Sequence, residues 1–117
     1  MTDARVATIM IDANDTERLV AFWTRLLGLD ERFRVPGFVW LLRVSPGGPA
    51  LAFQQVPEPK PATKNRLHLD IHGPDAAAIL AKVDELGGTR LEERRAGDFT
   101  WTVCADPEGN EFCVAAE

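Results

Sequence analysis

His68, Asp70 and His72 stand two residues apart in the short segment Asn65-Arg66-Leu67-His68-Leu69-Asp70-Ile71-His72. In an extended segment these three polar side chains share one face, and Leu67, Leu69 and Ile71 share the other. Imidazole nitrogen and carboxylate oxygen are donors that borderline divalent ions accept. A carboxylate beside an imidazole also favours the protonated ring. Same-face positions on a straight strand are about 6.6 Å apart, so one ion held by all three is awkward. The spacing favours a polar wall turned away from the core; for His72 the plain alternative is a strand end meeting solvent. The chain has no paired carboxylates set for acid–base work, no Ser–His–Asp order and no glycine-rich phosphate loop, since Gly47-Gly48 belongs to a turn.

The elements that carry these residues follow from local pattern. Val6–Asp12 is β-branched and alternating, which predicts a strand. Asn14 or Asp15 is placed to cap a helix whose first turn carries Glu17, and Leu19, Val20, Phe22, Trp23, Leu26 and Leu27 form its apolar stripe. Gly28 predicts its end. A second helix follows Gly73-Pro74-Asp75, presents Ile79, Leu80, Val83 and Leu86, and stops at Gly87-Gly88. Further strands are predicted near 29–34, 38–44 and 50–56, and again near 89–95, 99–105 and 110–115. Arg90, Glu92, Glu93, Arg94 and Arg95 mark a solvated edge strand.

The chain repeats itself. At an offset of 60, Ile9 falls on Leu69, Ile11 on Ile71, Asp15 on Asp75, Leu19 on Ile79, Leu26 on Leu86 and Gly28 on Gly88. At 61, Phe38 meets Phe99, Trp40 meets Trp101, Pro46 meets Pro107 and Gly48 meets Gly109. Eight of these pairs are identities in order, which chance does not readily supply. Ser45-Pro46-Gly47-Gly48 and Asp106-Pro107-Glu108-Gly109 both predict type I turns leading into bulged hairpins. The proline-rich stretch Pro57-Glu58-Pro59-Lys60-Pro61 joins the halves. The fold class is α+β, with two tandem βαβββ modules over 1–58 and 64–117 in a single domain of 117 residues. Neither module buries a core of its own size easily, so the two are expected to pack together.

This duplicated pattern, with Asp106-Pro107-Glu108-Gly109-Asn110-Glu111-Phe112 as the last hairpin and Asn65–Asp70 opening the second half, resembles the vicinal oxygen chelate superfamily and its glyoxalase-like, bleomycin-resistance-like branch. The resemblance covers essentially the whole chain. It implies a half-open curled sheet with helices outside and a ligand cavity inside. Metal-dependent members hold their ion with four side chains, from the first and last strand of each module. The matching positions are Thr8, Ala52, His68 and Cys113. Only His68 is a familiar ligand there: Thr8 is weak, Ala52 has no donor and Cys113 is atypical.

The same resemblance turns Phe99, Trp101 and Val103 toward the cavity, and by the repeat Phe38, Trp40 and Leu42. Two indoles there suit a flat or aromatic guest, against the alternative of plain core packing. Gln54 shares a face with Ala52 and offers an amide to a ligand, or to a metal if the register differs by two. Cys104 and Cys113 fall on opposite faces, which disfavours a disulfide between them. The expected ligand-binding residues are Thr8, Trp40, Gln54, His68, Asp70, Trp101 and Cys113, with no metal ligands and no cofactor.

Composition sets the bounds. A net charge of −5 argues against a nucleic-acid partner, and no apolar run spans a bilayer. Residues 1–5 lack the start of a signal peptide, and two cysteines suit a reducing compartment, so a cytoplasmic location is expected. The expected function is binding of a small organic molecule, without a catalytic metal, by a homodimer. Two alternatives stay open: a metal-dependent lyase, isomerase or dioxygenase, and an interaction module with a vestigial cavity.

Overall fold

The computed structural model describes Asp3 and residues 5–117. Met1, Thr2 and Ala4, on which the expectation of no signal peptide partly rests, lie outside the described residues. The chain divides into two compact units, Met1–Pro59 and Lys60–Glu117. Each is a βαβββ module with one four-stranded mixed sheet.

In the first unit the elements are β1 (Thr8–Ala13), α1 (Thr16–Leu27), β2 (Glu31–Val35), β3 (Phe38–Arg43) and β4 (Ala50–Gln55). The sheet order is β1-β4-β3-β2, with β1 parallel to β4 and the other pairs antiparallel. A parallel pair needs a long crossover, and α1 lies within it. Asp15 caps α1 by accepting from Arg18 N at 3.2 Å. Leu19, Val20, Phe22 and Trp23 of the helix are buried, as are Leu51 and Phe53 of β4 and Val39 and Leu41 of β3. Phe22 and Trp23 meet edge to face, with centroids 5.2 Å apart. The end of β4 is tied to the start of α1 by one side chain: Gln55 Oε1 accepts from Thr16 Oγ1 at 2.7 Å, while its amide donates to Asn14 O.

The second unit repeats the plan with β5 (Leu69–Gly73), α2 (Ala76–Glu85), β6 (Thr89–Ala96), β7 (Phe99–Ala105) and β8 (Glu111–Ala116), in the order β5-β8-β7-β6. Asp75 caps α2 through Ala78 N at 3.1 Å. Ile79 lies so close over β5 that a Cβ at Gly73 would meet its Cδ1 at 2.9 Å, and the end of that side chain would have to move aside. Every residue of β6 is exposed, as expected of the charged edge.

The structure corrects the sequence reading in detail. Val6, expected inside the first strand, precedes β1 and is 68% exposed. Leu67, expected on the apolar face of its strand, precedes β5 and is 88% exposed, because the ladder begins only at Leu69. Of the predicted α2 stripe only Val83 is fully buried; Ile79, Leu80 and Leu86 are half-buried. The turn at Ser45–Gly48 is type II, not type I: Gly48 N donates to Ser45 O at 2.9 Å and Gly47, the third turn residue, has φ +77°. Its counterpart is type I, as expected, with the positive φ of +87° one residue later at Gly109.

The repeat also slips. Ala52 faces Trp40 across β3–β4, yet Cys113, its equivalent, faces Val103 rather than Trp101. An irregularity between Trp40 and Arg43 shifts the first module's register by one residue of the two. A slip of two leaves every side chain on its original face.

Gln55→Ala should cost about 1–3 kcal/mol, because the buried Thr16 hydroxyl, in a residue 8% exposed, loses its acceptor. Equilibrium denaturation measures this, and an unchanged midpoint would show that the tie carries no stability.

Candidate functional site

In each module the helix covers one face of the sheet, and the other face carries the candidate residues. Across the second sheet, Asp70, Cys113, Val103 and Glu92 are successive register partners and form one row. Asp70 lies directly beside Cys113 on the neighbouring parallel strand. His72 pairs with Ala115 and Trp101 with Arg94 on the same face. Phe99 completes an aromatic shelf, stacked on Trp101 at 5.7 Å and tilted against His72 at 6.3 Å.

His68 sits just before β5, and its Nδ1 lies 2.9 Å from Asp70 Oδ1. One donor atom from each of His68, Asp70 and Cys113 lies within 4.8 Å of the others. The expected awkwardness concerned one ion held by His68, Asp70 and His72 together, and His72 is not among these three donors. Rise per residue separates backbones, whereas His68 stands outside the regular ladder and its ring reaches its neighbour's carboxylate. Cys113 comes from a different strand, a possibility that spacing along one strand does not address.

The two cysteines occupy opposite faces and are both free. Cys104 pairs with Phe112 and Arg90 on the helix side and is fully buried. Burial pushes its thiol up to about 11, with the Arg90 charge opposing. Cys113 is also pushed up, first by burial and then by the Asp70 charge, while Lys64 and Arg94 pull the other way. Neither environment is that of a cysteine activated as a nucleophile.

The open face of the first module is mainly apolar. Met10, Ala52, Trp40 and Phe33 form one row, and Asp12, Gln54, Phe38 and Val35 the next. Trp40 stacks on Phe38 at 5.7 Å and tilts against Phe33 at 5.4 Å. Thr8 is half-buried at the start of β1, opposite Ala50. Thr8, Trp40 and Gln54 therefore share a face, and His68, Asp70, Cys113 and Trp101 belong to the corresponding face of the other module. Beside this face, Arg34 is committed to carboxylates: it holds Glu31 through bonds of 2.9 and 2.7 Å and also binds Glu17.

Met10, Phe33, Phe38 and Glu92 were not among the expected ligand-binding residues. The signal for Met10 lay in the repeat, since Met10 beside Ala52 is the counterpart of Asp70 beside Cys113.

The sequence profile of the family described as "Glyoxalase-like domain" matches residues 8–115. The chain belongs to this family. A comparison with curated proteins found no match. Solved structures share the fold of this glyoxalase-like protein. A glyoxalase-related enzyme from Fulvimarina pelagi is 18% identical with a TM-score of 0.76, over 97% of this chain and 88% of that one. The fosfomycin resistance protein FosX from Mesorhizobium loti is 17% identical with a TM-score of 0.74, over 100% and 94%. A lactoylglutathione lyase from Agrobacterium tumefaciens is 17% identical with a TM-score of 0.69, over 99% and 96%.

A four-donor metal centre of the kind the family resemblance implies does not fit these residues. Ala52 is 0% exposed and presents a methyl group between Met10 and Trp40, and Thr8 offers a neutral hydroxyl. No reaction step is derived through such a centre.

The buried thiol gives a pH prediction. Cys104 ionises near 9.0 when exposed and near 11 when folded, so the folded state favours its neutral form. Its contribution to stability is whole below pH 9 and is lost as pH rises through 11. Denaturation midpoints should fall across that window, and Cys104→Ala should flatten the fall in part. The chain has no tyrosine, so thiolate absorbance can follow the titration without phenolate overlap. A decline equally steep in the variant would remove Cys104 as its source.

Proposed function

We propose that this glyoxalase-like protein binds a small organic molecule with a planar or aromatic part, and does so without a catalytic metal. The observation that carries this reading is the pair of aromatic groups on the open faces: Phe33, Trp40 and Phe38 in one module, Phe99, Trp101 and His72 in the other. Stacked rings left part-exposed offer flat apolar area at low entropic cost. Thr8, Gln54, His68, Asp70 and Cys113 share those faces and supply hydroxyl, amide, imidazole, carboxylate and thiol groups to fix a ligand's polar atoms. The competing reading is metal-dependent catalysis like that of a lyase, isomerase or dioxygenase, and it asks Thr8 and Ala52 for donors they lack.

A homodimer is part of the proposal, supported by large apolar side chains left exposed, among them Phe33 (55%) and Leu42 (43%). So is a reducing cytoplasm, supported by two unpaired cysteines. Among the described residues no helix is long and apolar enough to cross a membrane.

A thermal-shift screen of small aromatic acids and heterocycles should find a compound that raises the melting temperature. A ligand at 100 times its Kd adds about 2.7 kcal/mol. Trp23 is 1% exposed, so quenching of emission by that compound would report Trp40 and Trp101. Trp101→Phe should lose much of the quench and Trp40→Phe a further part. A full response in both variants would return these indoles to plain packing, and a screen with no stabilising compound would count against the binding function.

A further inference from the structure

We infer that the protein dimerises by pairing β6 of one copy with β6 of a second, antiparallel and with Arg94 on the two-fold axis, so that Glu93 of each copy faces Arg95 of the other. The inference rests on the homodimer of the reading above and gives that dimer a surface; it does not depend on a small-molecule ligand. β6 is the outer strand of the sheet β5-β8-β7-β6 and is exposed along its whole length. No strand lies beyond it in that sheet, so every second residue turns its N–H and C=O groups outward. An edge of this kind is a template for a further strand.

The charges select the partner. Glu92, Glu93, Arg94 and Arg95 run as two acids followed by two bases, so a reversed copy of the strand meets each sign with its opposite. A two-fold axis normal to the sheet keeps each side chain on its own side, so only residues of one strand face can meet and the axis passes through a residue. With Arg94 there, Glu93 lies opposite Arg95 at two symmetric places; an axis through Glu93 instead sets that carboxylate against its own copy. Existing bonds favour the first arrangement. Arg94 binds Glu92 of its own strand, with Nε at 2.7 Å, and Arg90 binds Asp84 of α2 at 2.8 Å. Among the described residues Glu93 makes no ion pair, and Arg95 donates only to Gly97 O, at 2.8 Å. The uncommitted carboxylate and guanidinium are the two that this register joins, while each Arg94 meets its twin already neutralised by Glu92.

The other sheet edges lack this pattern. β2, the equivalent strand of the first module, reads Glu31-Arg32-Phe33-Arg34-Val35. Reversal about Phe33 sets Arg32 against Arg34, which Glu31 and Glu17 already hold. β1 and β5 carry no lysine or arginine. Mixed charge on β6 therefore rejects neutral or single-signed strands, which protects the edge from general aggregation, yet it admits a reversed copy of itself. The regular stretch, residues 92–96, lies beyond the irregularity between Arg90 and Glu92. So short a contact buries little apolar area, so the dimer is weak and salt-sensitive.

The test is sedimentation velocity of the full-length protein over a concentration series. A reversible dimer should form and should weaken as ionic strength rises. Glu93→Arg and Arg95→Glu should each weaken it by at least about tenfold, because each sets like charges opposite at two places. The double variant carrying both changes restores opposite signs and should return the affinity to within about threefold of the original. Arg32→Glu, on the outer strand of the first module, should leave it within about twofold. The altered side chains of β6 are exposed, and circular dichroism would verify that the variants fold. Arg94→Cys, on the axis, should give an interchain disulfide on mild oxidation, and Glu93→Cys should not. A chain that stays monomeric overturns both this contact and the homodimer. A dimer that ignores Glu93→Arg and Arg95→Glu, or that the double variant fails to restore, overturns this contact and leaves the homodimer standing. Cross-linking through Glu93→Cys in place of Arg94→Cys overturns the register.

Discussion

The parallel pairing of the first and last strands of each module is the contact on which everything else depends. Parallel neighbours cannot be joined by a tight turn, so the chain must leave the sheet and return, and it does so through a helix and two antiparallel strands. That helix packs on one side only. The same hydrogen bonds that bring β1 beside β4 and β5 beside β8 therefore create one covered face, rich in Leu51, Phe53, Phe112 and Val114, and one face left for other chemistry. They also bring Asp70, from the start of the second module, beside Cys113, near its end.

Much of this was legible in the sequence because two periodicities agree. Alternation of Leu69 and Ile71 with His68, Asp70 and His72 assigned faces, and the offset of 60–61 assigned strands to equivalent places. Both depend on local backbone geometry, which neighbouring residues largely determine. Pro46 and Gly47 suggest a type I turn because the Pro-x-Gly spacing matches the second hairpin, yet glycine in the third position admits the positive φ of type II. Register was out of reach for a related reason. Trp40 faces Ala52 in the first module while Val103, not Trp101, faces Cys113 in the second, and no residue type announces that difference.

The site was legible residue by residue rather than as a constellation. His68 and Cys113 followed from family positions that share one ion, and Asp70 beside His68 from strand parity, but the meeting of all three within one module did not. It requires a side chain outside the ladder to reach back to one within it, and a parallel partner more than forty positions away in the chain. Met10 escaped for the opposite reason: a thioether in an apolar strand looks like ordinary packing until its counterpart is seen to be Asp70.

Duplication gives this chain an internal control that a single module would lack. Both halves obey the same strand order and the same helix cap, Asp15 or Asp75, while the pair Met10 and Ala52 on one side and the pair Asp70 and Cys113 on the other differ in polarity. The scaffold's requirements are thus met by the covered face and the caps, and the open face is free to vary without unfolding its own module. Functional novelty in such a molecule needs no new loop and no insertion. A handful of point changes on one copy suffices, while the other copy retains whatever task the first has abandoned.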